Sequence, residues 1–111
     1  MVEAPKPLFR SPPFRCADWF NSMNPICTAG FELSRTEFER VRAPALSAIR
    51  QVVSQVPNAV IWDPADTLCS RERCGAYVDG QPLFFDGDHL SGLGNAALYR
   101  DFNANMQHLL P

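Results

Sequence analysis

The sequence predicts an α/β domain with two main helices, one parallel strand and a β-hairpin. Three features carry that prediction. Apolar residues recur at spacings of three and four from Phe38 to Val56, the period of an amphipathic helix. The run Ala59-Val60-Ile61-Trp62 follows directly, and a helix feeding a buried β-branched run is half of a βαβ unit. Asp79-Gly80 stands between two strand-like segments, residues 75–78 and 81–85, which is a two-residue hairpin signal.

Composition narrows the classes. A chain of 111 residues is one domain or part of one, because two independent cores would be too small to hold themselves together. Its residues are 46% hydrophobic and 20% charged, a globular balance. The net charge of -2 argues against a nucleic-acid partner. Lys6 is the only lysine among ten basic residues, and they form no run that would dock on anionic lipid. No apolar stretch approaches the roughly 20 residues of a membrane helix. No apolar segment follows residues 1–6 to make a signal peptide.

Residues 1–32 read as a Pro/aromatic-rich covering loop. Pro5, Pro7, Pro12, Pro13 and Pro25 exclude a long helix, leaving room for a short helical turn near 16–23. Phe9, Phe14, Trp19 and Phe20 suggest that the loop packs down. Residues 33–111 form the main unit. Ser34-Arg35-Thr36-Glu37 is a capping box opening a helix over 34–56. Phe38, Val41, Ala45, Ile49, Val52, Val53 and Val56 would be its core face, with Glu39, Arg40, Arg42 and Arg50 opposite. Pro44 should kink or divide it.

Pro64 begins a turn or short helix, in which Asp63 and Asp66 are turn and cap residues. Pro82 cannot donate to a ladder, so the second hairpin strand is an edge or very short. A last helix runs from Ser91 to about Leu109, with Arg100 and Asp101 outward. Gly92 and Gly94 in its first turn suggest close backbone approach, and His108 lies in its final turn.

Four cysteines remain to be placed. Cys16 and Cys27 lie eleven apart, and Cys69 and Cys74 enclose four residues. A structural zinc site would bring its ligands in through two short knuckles, which this spacing does not supply. Two disulfides, 16–27 and 69–74, are the favoured reading, with reduced core or surface thiols and a metal site as the alternatives, and other pairings open because sequence does not fix connectivity. Disulfides imply an oxidising compartment. An upstream segment would then have to carry the chain across a membrane.

The chemistry concentrates in Asp86-Gly87-Asp88-His89-Leu90-Ser91. Asp86 and His89 are three apart, and a tight turn brings a carboxylate oxygen to the imidazole Nδ1–H. That fixes the tautomer and leaves Nε2 free to take a proton, a contribution of roughly 10²–10⁴-fold. The bland alternative is an Asx-turn beside an incidental histidine. Ser91 sits where a helix N-cap is wanted.

The stretch from Cys69 to Gly94 reads Cys-x4-Cys-x4-Asp-Gly-x-Pro-Leu-Phe-Phe-Asp-x-x-His-Leu-Ser-x-x-Gly. It resembles the C-terminal block of SGNH-type hydrolase domains, particularly those fused to membrane acyltransferases of the acyltransferase-3 family. The likeness covers residues 33–109, and 69–94 carry nearly all its specificity. It implies a partial three-layer, flavodoxin-like SGNH fold. It also implies that His89 is the general base of a Ser-His-Asp triad and Asp86 its orienting acid.

The family's nucleophile lies in a Gly-Asp-Ser motif. The serines here, at 11, 22, 34, 47, 54, 70 and 91, never follow Gly-Asp, and Gly-x-Asn-Asp is absent too. The expectation is therefore the C-terminal part of an SGNH-type O-acyltransferase. It would take an acyl donor from an upstream membrane domain and a glycan hydroxyl as acceptor, at the periplasmic or extracellular face. No cofactor or metal is implied, and the isolated chain should be inactive and marginally stable. The alternatives are a secreted SGNH esterase or lipase and a non-catalytic, disulfide-stabilised binding module.

Overall fold

The computed structural model describes residues 1–110. In chain order the elements are β1 (Val2–Glu3), α1 (Pro13–Cys16), β2 (Glu32–Ser34), α2 (Arg35–Val53), β3 (Ile61–Trp62), α3 (Ala65–Leu68), β4 (Arg73–Gly75), β5 (Tyr77–Val78), β6 (Gln81–Pro82) and α4 (Gly92–Gln107). Short 3₁₀ turns at Trp19–Asn21 and Pro25–Cys27 complete the N-terminal segment. The strands form three two-stranded sheets: β1 parallel to β3, β2 antiparallel to β4, and the β5–β6 hairpin. This is an α/β chain, and its helices, parallel pair and antiparallel pairs are consistent with the partial fold expected from the sequence. The radius of gyration is 15.5 Å, against roughly 13 Å for a compact domain of this length.

Local chemistry explains the elements that were legible. The Ser34 hydroxyl accepts from the Glu37 amide at 3.1 Å and starts α2. The reciprocal half of the capping box does not form, because Glu37 turns its carboxylate to Arg40. Asp79 and Gly80 both take positive φ, 49° and 74°, as a tight hairpin turn with strand-matched twist requires. Ser91 caps α4, its hydroxyl accepting from Gly94 N–H at 3.1 Å and donating to the Pro82 carbonyl at 2.7 Å. Gly94 is there for space, since a β-carbon would fall 2.0 Å from the Leu83 carbonyl oxygen. Gly92 has nothing near it, so the close approach expected at both glycines holds for one.

Several expectations are corrected. The N-terminal segment is more than cover, because Val2 and Glu3 pair with Ile61 and Trp62 as the parallel partner of β3. Ala4, Pro7 and Phe9 beyond them are buried. Trp19 and Phe20, expected to pack down, are 85% and 64% exposed. Helix α2 runs unbroken through Pro44. Pro44 lies on the exposed side, where water can take over the carbonyl that loses its partner.

The buried face of α2 is Phe38, Arg42 and Leu46, while Val41, Val52 and Val56 face solvent. Arg42 can be buried because Glu39 and Asp63 bond its guanidinium at 2.7 and 2.8 Å and Phe38 stacks beneath it at 4.6 Å. Asp63 also caps the Ala65 amide and so ties α2 to the turn after β3. Asp101 points inward as well, accepting from the Trp62 indole N–H.

Both favoured cysteine pairs are disulfides, Cys16–Cys27 and Cys69–Cys74, so no thiolate remains for a metal. Cys69 and Cys74 join the core with Phe38, Leu68, Ala76, Phe84 and Leu98. Phe84 is fully buried and anchors the strand end from which the 85–90 turn projects. Among the described residues no helix is long and apolar enough to cross a membrane.

Candidate functional site

Residues 85–90 leave the core at Phe84 and return to it at Ser91. Phe85 N–H donates to the His89 carbonyl at 2.7 Å, Phe84 bridges Leu90, and Ser91 N–H donates to the Leu83 carbonyl at 2.9 Å. The turn therefore has a fixed base formed by a buried phenylalanine on one side and a capped helix on the other. Asp86 Oδ1 accepts the amides of Asp88 and His89 at 2.8 and 2.7 Å, and Oδ2 lies 2.9 Å from His89 Nδ1.

Those contacts set the charges. The His89 amide, then the Asp88 amide and the imidazole, hold the Asp86 carboxyl down at about 2. An ionised carboxylate only accepts, so Nδ1 carries the proton and a neutral His89 has Nε2 as its free basic nitrogen. The hydrogen bond to Asp86, then the charges of Asp86 and Asp88, raise the imidazole above the ordinary histidine value. Burial and the Lys6 charge oppose that rise. The His89 side chain is 76% exposed, so the free nitrogen is open to a reacting group from outside.

His89 lines a groove of about 670 Å³. Leu90, Trp62, Leu98, Tyr99 and Phe102 form its apolar wall, and Glu3, Lys6, Asp88 and Asn95 its polar rim. Sequence reasoning brought Asp86 and His89 together and missed most of this lining. Tyr99 carried no motif, Trp62 read as part of a buried strand, and Glu3 and Lys6 lay in a segment read as cover. Only the β1–β3 pairing brings them to the histidine, and no local signal foretells it.

Ser91 is 6% exposed, with its hydroxyl engaged as a cap in two hydrogen bonds. That occupies the nearest serine in sequence. The other polar residues singled out in the sequence are structural: Asp66 pairs with Arg35, and His108 closes α4.

Fold and turn together define a class: a small disulfide-bonded α/β domain that presents a carboxylate-oriented imidazole at a groove. The chain belongs to the SGNH domain family described as fused to AT3 domains, whose family model matches residues 2–104. The match takes in the N-terminal segment as well as the 69–94 block. No curated protein and no solved structure matches the chain.

Proposed function

We propose that this chain is the acid–base portion of an SGNH-type O-acyltransferase acting on glycans at the extracytoplasmic face of a membrane. The carrying observation is the 2.9 Å contact from Asp86 Oδ2 to His89 Nδ1 on a rigidly based turn, with the imidazole open to a groove. Membership of a family fused to AT3 domains supports transfer over simple hydrolysis. Two disulfides support an oxidising compartment.

In this reading the nucleophilic serine comes from outside these 111 residues, since no serine here follows Gly-Asp. His89 Nε2 takes the proton from that serine as its oxygen attacks the acyl carbonyl. It returns the proton to the departing donor group, leaving an acyl-serine. It then deprotonates a glycan hydroxyl, which attacks the acyl-serine, and the proton goes back to the serine oxygen. Asp86 stays ionised throughout and steadies the imidazolium.

A base must be neutral to act, so transfer should rise with pH as His89 loses its proton. The midpoint should lie above the free-histidine value of about 6.5, because Asp86 raises it. A pH–rate profile of kcat/KM on the full-length protein, set beside the NMR titration of His89, checks this. The two midpoints should coincide, and a rate that is flat through the His89 titration would remove His89 as the base.

A further inference from the structure

The N-terminal segment crosses the acid–base turn at Gly87. Phe9 N–H donates to the Gly87 carbonyl at 2.8 Å. A β-carbon on Gly87 would lie 2.1 Å from the Phe9 carbonyl oxygen and 3.2 Å from its carbonyl carbon. Gly87 is not among the residues of positive φ, so glycine is needed there for room rather than for conformation.

Phe9 is poorly placed to yield. Its ring is buried edge-on against Phe84 at 4.9 Å. The residues after it are tied on both sides: Arg10 N–H to the Gly30 carbonyl, the buried Ser11 hydroxyl to the Ala29 carbonyl at 2.6 Å, and Tyr77 OH to the Pro13 carbonyl. The Cys16–Cys27 disulfide closes the loop between those ties. The strap therefore belongs to the folded body, and the turn rests on it.

Gly87 stands between Asp86, which accepts, and the Asp88 and His89 amides, which donate to it. A displacement at Gly87 would turn those amides and the imidazole away from the carboxylate together. We propose that Gly87 is a positioning residue, and that the Phe9 backbone pressed against it holds the Asp86–His89 pair in register. Residues 1–32 are then part of the acid–base site rather than a cover over it. The catalytic consequence rests on the function proposed above, whereas the geometric consequence can be read on His89 alone.

The test is Gly87→Ala in the 111-residue chain, followed by NMR titration of both histidines. The charged groups around His89 are Asp86 and Asp88 on the turn and Glu3 and Lys6 from the N-terminal segment, none of them altered by the substitution. The expected result is a downward move of the His89 midpoint toward the ordinary histidine range with His108 unmoved. Asp86→Asn should give the same direction, and the double variant no further change, because Gly87 acts through Asp86. An unchanged His89 midpoint, or additive shifts in the double variant, would overturn the proposal.

Should the alanine variant not fold, Ser11→Ala loosens the strap without a clash. A smaller downward move supports the proposal and none overturns it. In the full-length protein Gly87→Ala should lower kcat by about a hundredfold with KM little changed. If the titration moves while kcat does not, the positioning stands and the function proposed for His89 fails.

Discussion

Replacing His89 by alanine in the full-length protein is expected to lower acyl transfer by about 10⁴-fold or more while the fold survives. The activity side follows from the division of labour in a triad, where loss of the base leaves only what binding and the oxyanion donors provide. The stability side follows from exposure. The His89 side chain is three-quarters in solvent and lies outside the core, and substitutions at such positions usually change stability little. Acyl transfer to the acceptor and a thermal melt on the same preparation check both halves. Transfer at a near wild-type rate would remove the acid–base assignment.

The second large effect is expected at Asp86. Asp86→Asn keeps the size of the side chain and leaves an amide oxygen for the Asp88 and His89 amides. It places an NH₂ where Oδ2 faced Nδ1. Nδ1 then has to accept, the proton moves to Nε2, and the nitrogen meant to receive the serine proton is blocked. A loss of about 10⁴-fold in kcat is expected, as for a triad held in the wrong tautomer. The same variant should bring the His89 midpoint down, because the raising hydrogen bond and the larger of the two raising charges come from Asp86, with Asp88 supplying the smaller.

Stability follows the same two groups with opposite signs. Asp86 is depressed, so its contribution is present above the unfolded value of about 3.9 and is lost as pH falls toward about 2. His89 is raised, so its contribution is complete below about 6.5 and is lost as pH climbs through its folded value. Urea midpoints of wild type and Asp86→Asn across that range should converge at the acid end. A carboxylate effect of equal size at every pH would contradict the pairing.

What was legible in the sequence was what local chemistry decides. Ser34 and Ser91 sit where orphan amides need an oxygen, and Asp79-Gly80 where two positive φ values are needed. Asp86 and His89 were legible because a three-residue separation lets one turn close both the backbone and the side-chain contacts. What stayed hidden depends on distant partners. A two-residue strand at Val2–Glu3 exists only because Ile61–Trp62 lies beside it.

The face of α2 was misjudged for the same reason. Hydrophobicity favours Val41 and Val52 as core, but Asp63 and Glu39 neutralise Arg42, and the helix is turned so that Arg42 goes in. Val41, Val52 and Val56 are left exposed. Trp19 escaped for a different cause, since a disulfide and its own turn hydrogen bonds hold its loop without burying the ring.

The proposed function divides the triad between this chain, holding the base and its orienting acid, and a serine that lies elsewhere. A serine-directed fluorophosphonate probe tests it most directly, applied to the 111-residue chain and to the full-length protein, with the labelled residue read by mass spectrometry. The expected result is no labelling of the short chain, and in the full-length protein a single labelled serine outside residues 1–111 whose reaction is lost in His89→Ala. Labelling of Ser91 or any other serine within the chain, or labelling that persists without His89, would contradict it.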